Sequence, residues 1–133
     1  MIGPVHHVGI AVRRLDAAVE RYRLLGLSLD FMEDVPAAGV RVAFLNAGET
    51  RVELVTPLSA SSTVARFLEK RGEGLHHLAF ATADVAAELA ELERQGFELV
   101  DPAPRPGAHG SLVAFLHPRS SHGVLIELVQ EPR

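Results

Sequence analysis

The sequence predicts an α+β fold built from two βαβββ modules that share one core. Two observations carry this. Residues 6–29 (HHVGIAVRRLDAAVERYRLLGLSL) are echoed by residues 76–99 (HHLAFATADVAAELAELERQGFEL) at a constant offset of 70, with His6/His76, His7/His77, Ala11/Ala81, Gly26/Gly96 and Leu29/Leu99 in register. The echo resumes where VAFL at 42–45 meets VAFL at 113–116, and VEL at 52–54 meets IEL at 126–128. A repeat of this length marks one supersecondary unit used twice. Within 133 residues, each unit is too small to bury its apolar face alone, so the two are expected to form a single domain. Module one covers about 5–56, a connector 57–74, and module two about 75–130.

The elements follow in order. Residues 5–12 alternate as a strand, with Val8, Ile10 and Val12 on one face and His7, Gly9 and Ala11 on the other. Residues 15–25 read as a helix with Leu15, Val19, Tyr22 and Leu25 on its apolar stripe, and Gly26 stops it. A strand is expected at 27–33. Two more, at 39–46 and 50–56, flank an Asn46-Ala47-Gly48-Glu49 turn. Residues 61–71 form a short connecting helix closed by Gly72 and Gly74. The pattern then restarts with a strand at 75–82 and a helix at 85–95 behind the N-cap Asp84. Gly96 is the stop and 97–101 the next strand. A Pro/Gly-rich loop at 102–110 leads to strands at 111–117 and 123–129.

Composition excludes several functions. The net charge of −4 argues against bulk electrostatic binding of nucleic acid. With no cysteine there is neither a disulfide framework nor a thiolate metal site, so any metal uses histidine, carboxylate or water. No apolar run approaches the roughly 20 residues of a membrane span, and MIGPVHH lacks a signal-peptide layout. A cytoplasmic location is the expectation.

Strand parity isolates the chemistry, because residues i and i+2 share a face. His7 keeps company with Gly9 and Ala11, and His77 with Ala79 and Ala81; the bulky residues point the other way. A surface lined by small residues suits a ligand. Glu53 lies between Val52 and Leu54, and Glu127 between Ile126 and Leu128, each a lone carboxylate opposed to an apolar pair. A single such glutamate also serves to guard a sheet edge, but the duplication of both residue types favours ligation. Two imidazoles and two carboxylates suit one borderline divalent ion such as Co²⁺, Ni²⁺, Zn²⁺, Mn²⁺ or Fe²⁺. Two coordination positions would remain for a substrate that chelates through two oxygens. His6 and His76 have the opposite parity and read as structural residues or as supports for the ligands.

The stretches HHVGIAV (6–12), RVELVTPL (51–58), STVARFLEKRGEGLHHLAF (62–80), PRPGAHGSLVAFLHP (104–118) and GVLIELVQ (123–130) resemble the vicinal-oxygen-chelate superfamily. This is the superfamily of glyoxalases, bleomycin-resistance proteins and dioxygenases, and within it the chain resembles the methylmalonyl-CoA epimerase family. The resemblance spans essentially the whole chain. It implies an eight-stranded cup-shaped half-barrel with helices outside, and His7, Glu53, His77 and Glu127 as metal ligands. It also implies a homodimer and an isomerase that interconverts (2R)- and (2S)-methylmalonyl-CoA through an enolate.

Epimerisation needs a proton removed from one face of the α-carbon and returned to the other. Glu127 is the first candidate for this work. Where some relatives carry a third-strand glutamate, this chain has Val42, which cannot move a proton. Glu53 is favoured as the second group by pseudo-symmetry; His109 or a metal-bound water are the alternatives. His117 and His122 read as structural or exposed. Arg41, Arg51, Arg66, Lys70, Arg71, Arg105 and Arg119 are available for the phosphates of coenzyme A. The rival readings are a glyoxalase I-type lactoylglutathione lyase and a metal-free small-molecule-binding protein. Glyoxalase I commonly carries a D-P-D-G-type turn before its last strand, and residues 117–123 (HPRSSHG) lack one.

Overall fold

A computed structural model describes residues 1–133. Eight strands and three α-helices alternate as β1 (Val5–Ala11), α1 (Leu15–Arg23), β2 (Ser28–Val35), β3 (Val40–Ala47), β4 (Thr50–Pro57), α2 (Thr63–Arg71), β5 (Gly74–Ala81), α3 (Val85–Arg94), β6 (Arg105–Pro106), β7 (Leu112–Leu116) and β8 (Ile126–Gln130). The class is α+β, with a βαβββ order on each side of α2. The chain divides into two compact units, residues 7–76 and residues 1–6 with 77–133. β1 and β5 each carry the chain from one unit into the other.

In the unit 7–76 the strand order is β2-β3-β4-β1. β2, β3 and β4 run antiparallel as a meander, and β1 joins β4 in parallel with His7 opposite Arg51 and Gly9 opposite Glu53. α1 covers one face. Leu15 and Val19 pack with Val12, Ala43, Leu45 and Leu54, and Ile10 and Tyr22 close the edge. Leu45 and Leu54 are fully buried; each such side chain contributes about 1.5–3 kcal/mol through removal from water. α2 starts at the N-cap Ser62, whose Oγ accepts a hydrogen bond from the Ala65 amide at 3.1 Å. Its Val64 and Leu68 are buried.

The other unit repeats the plan with order β5-β8-β7-β6. β8 joins β5 in parallel, with Glu127 opposite Ala79, and pairs antiparallel with β7, with Glu127 opposite Phe115. α3 begins at Asp84, whose side chain accepts from the Ala87 amide. It lays Val85 and Leu89 against Ala114, Leu116 and Leu128. Residues 3 and 4 belong here: the Gly3 amide donates to the Ala81 carbonyl and the Ala81 amide to the Pro4 carbonyl.

Several expectations are corrected. Helix α1 ends at Arg23, and Leu25 is exposed instead of completing the apolar stripe. The Leu25 amide bonds Tyr22 and the Gly26 amide bonds Arg23, so the backbone tightens and turns outward into Gly26 at φ 100°. The first hairpin turns on Gly48 and Glu49 alone, because Asn46 and Ala47 still pair with Arg51 and Thr50.

The strand expected at 97–101 is reduced to a single bridge between Leu99 and Leu116. The Asp101 carboxylate accepts the Phe115 amide at 2.8 Å, taking a donor that a neighbouring strand would use. Pro102 and Pro104 have no amide to offer. The short strand of this module instead falls inside the predicted loop, at Arg105–Pro106. β8 starts at Ile126, later than expected, because residues 118–121 form a 3₁₀ turn closed by His122 at φ 57°.

Candidate metal centre

Each unit holds one buried histidine–glutamate pair. In the first, His7 Nε2 lies 3.4 Å from Glu53 Oε1. In the second, His77 Nε2 lies 3.2 Å from Glu127 Oε1. All four residues are more than nine-tenths buried, His7 at 3 % exposed being the extreme. The register explains the pairing. Glu53 stands opposite Gly9 and Glu127 opposite Ala79, each two residues beyond its histidine. A small side chain at that place leaves the carboxylate room to lean back along the strand towards the imidazole.

The spacing fits a metal. Donor atoms at about 2.1 Å from an ion and at right angles to one another stand roughly 3.0 Å apart, close to both observed separations. The donor set of nitrogen and oxygen without sulfur is that of a borderline divalent ion. Burial adds to the case, since a carboxylate removed from water requires a cation or several hydrogen bonds.

A feature not anticipated from the sequence surrounds each histidine. Phe44 meets His7 edge to ring, centroids 5.1 Å apart at 84°. Phe115 meets His77 the same way at 5.6 Å and 90°. Each ring therefore fixes an imidazole plane. The signal was present, because both phenylalanines occupy the same place in the repeated VAFL. An arginine lies over each of these rings: Arg51 Cζ is 5.2 Å from the Phe44 centroid and Arg105 Cζ 5.5 Å from that of Phe115.

His6 contacts Glu131, and His76 stacks edge-on against Phe67 at 4.8 Å, in keeping with structural roles. His109 is exposed on a 3₁₀ turn with φ 55°. His117 caps the next turn, its Nδ1 accepting from the Arg119 amide. Val42 is buried between Glu33 and Val55 in neighbouring strands.

Most of the candidate phosphate-binding cations are already engaged. Arg41 forks onto Asp34 and holds that carboxyl below the usual carboxylate range through its hydrogen bond. Arg51 bonds Asp30 at 2.8 Å, Arg66 the Ser61 carbonyl, and Arg119 Glu98. Arg71 lies over Phe67.

A sequence model of the Glyoxalase/Bleomycin resistance protein/Dioxygenase superfamily matches residues 6–115. An ethylmalonyl-CoA/methylmalonyl-CoA epimerase of Cereibacter sphaeroides is 41 % identical over 133 residues, covering 98 % of this chain and 99 % of that protein. The crystal structure of methylmalonyl-CoA epimerase from Mycobacterium tuberculosis superposes with a TM-score of 0.94 at 39 % identity, over 99 % of this chain and 90 % of that one. A methylmalonyl-CoA epimerase in complex with methylmalonyl-CoA and NH4+ gives the same TM-score at 40 % identity, over 98 % and 96 % of the two chains. The chain thus belongs to the Glyoxalase/Bleomycin resistance protein/Dioxygenase superfamily and, within it, to the methylmalonyl-CoA epimerase family.

Proposed function

We propose that the protein is a methylmalonyl-CoA epimerase in which His7, Glu53, His77 and Glu127 together hold one divalent ion, with Co²⁺ the first choice. The observation that carries this is the doubled, buried histidine–glutamate pair. His7, His77 and Glu127 are each buried and each offers one ligand atom; neither pair alone completes a coordination sphere, so the reading needs both units in one functional domain. When bound, the ion supplies Lewis acidity, stabilising the negative charge that grows on the thioester and carboxylate oxygens.

The proton traffic belongs to the carboxylates. Glu127 takes the α-proton from one face and the enolate remains. Glu53, entering as the acid, returns a proton to the opposite face. With an ion held by these residues, each carboxylate would keep one oxygen for it and leave the other to move the proton. Proton exchange with water resets the two groups. The reverse direction exchanges their roles, as an epimerase requires. His109 is the alternative partner to Glu53; its place on a loop permits adjustment.

The relatives support the substrate: one is named for ethylmalonyl- and methylmalonyl-CoA and another holds methylmalonyl-CoA. A homodimer and a cytoplasmic location accompany the same reading.

The test is to incubate the Co²⁺-loaded protein with methylmalonyl-CoA in deuterated water. Rapid solvent deuterium incorporation at the α-carbon is expected, with negligible turnover of the methylglyoxal–glutathione hemithioacetal. The opposite pattern would identify a lactoylglutathione lyase instead. A protein that retains no stoichiometric divalent ion and shows no gain on adding Co²⁺ would favour a metal-free binder.

A further inference from the structure

We infer that Arg105 takes the free carboxylate oxygen of the substrate and so selects malonyl-type thioesters over plain acyl thioesters. This rests on the epimerase reading and goes beyond it by naming a specificity residue.

The register puts Arg105 on the face that carries the ligands. Arg105 stands opposite Val113, Val113 and Phe115 share a face of β7, Phe115 stands opposite Glu127, and Glu127 opposite Ala79, which shares the face of His77. One continuous row therefore runs from His77 through Glu127 and Phe115 to Arg105. The guanidinium leans back along this row, its Cζ 5.5 Å from the Phe115 centroid, while the edge contact of the same ring reaches His77. Arg105 is thus separated from a ligand histidine by a single phenyl ring.

Its bonding leaves donors to spare. Arg105 Nε is buried without a hydrogen bond. Its nearest carboxylate, Asp101, is 3.5 Å away, and the same oxygen already accepts the Phe115 amide at 2.8 Å. Arg51 makes the contrast. It lies over its phenylalanine in the same manner, yet Asp30 takes its Nη1 at 2.8 Å. Of the two stacked guanidiniums, Arg105 is the one placed to receive an outside anion, and the planar fork suits a carboxylate.

Two anions of the substrate compete for that role, the malonyl carboxylate and the coenzyme phosphates. The short path to His77 favours the carboxylate, because the diphosphate lies a whole pantetheine arm from the thioester. A methylmalonyl group whose carboxylate gave one oxygen to an ion would keep the second for the arginine.

The experiment compares dissociation constants of methylmalonyl-CoA and propionyl-CoA on the Co²⁺-loaded full chain, for the parent, Arg105→Gln and Arg105→Lys. Propionyl-CoA keeps every phosphate and lacks only the carboxylate. Loss of a charge-assisted bond is expected to weaken methylmalonyl-CoA roughly tenfold or more in Arg105→Gln, with propionyl-CoA within about twofold of the parent. Arg105→Lys keeps the charge without the fork and is expected to fall between. If Arg105→Gln does not fold, the same selective loss is required of Arg105→Lys. Equal weakening of both ligands, or no weakening of either, would overturn the assignment. A parent chain that binds neither acyl-CoA would overturn the epimerase reading, and this inference with it.

Discussion

On the proposed reading, His77 and Glu127 divide two tasks, holding an ion and moving a proton. Under the proposed ligation, His77→Ala removes one of four ligands, and bound metal and α-proton exchange are expected to disappear together. Glu127→Gln keeps an oxygen for the ion but loses the proton acceptor; it is expected to retain some metal while exchange falls by roughly 10²–10⁴-fold. Metal content and deuterium incorporation, measured on the same samples, check both. Comparable exchange in Glu127→Gln would show that the base lies elsewhere. At this scale, strand parity and repetition single out His7, Glu53, His77 and Glu127 from sequence, whereas their pairing within each unit comes from the strand register. Phe44 and Phe115 hold the same place in the repeated VAFL, but an aromatic in an apolar strand reads as core. Only the strand register shows each one facing a carboxylate and touching an imidazole. The bonding of Arg105 has no sequence signal, since it depends on which oxygen of Asp101 is already occupied.

The helices and most strands were legible because apolar spacing and glycine stops act locally. Asp84 caps α3 as the sequence suggests, and β3 and β4 meet across Gly48 and Glu49. The segment after α3 escaped the same logic. Phe97 and Leu99 pack against the α3 core as strand residues would, yet ladder formation stops where Asp101 substitutes its side chain for a backbone acceptor. Side-chain capture of this kind competes with regular pairing, and an alternation pattern does not register it. The contact carries stability as well as shape. Asp101→Ala leaves the Phe115 amide without its acceptor, and a cost of about 1–3 kcal/mol is expected, readable from denaturant unfolding. A change much below 1 kcal/mol would mean that water or a slipped ladder satisfies the amide. Because Phe115 carries both His77 and Arg105 on its ring, the same variant is expected to weaken substrate binding before it unfolds the protein.

For the whole molecule, duplication is what gives the site its composition. Each unit builds one buried imidazole–carboxylate pair on a parallel strand pair, behind a phenylalanine and under its own helix-covered core. In the proposed mechanism one module alone would supply only two ligands and one proton-transfer group. The central claim is that both halves hold the same ion. It is tested most directly by titrating metal-free protein with Co²⁺ in the parent, His7→Ala and His77→Ala, and measuring stoichiometry and affinity. The account predicts one ion per parent chain, and a severe loss of affinity when either histidine is removed. Two ions per chain, or a His7→Ala protein that binds as tightly as the parent, would contradict it.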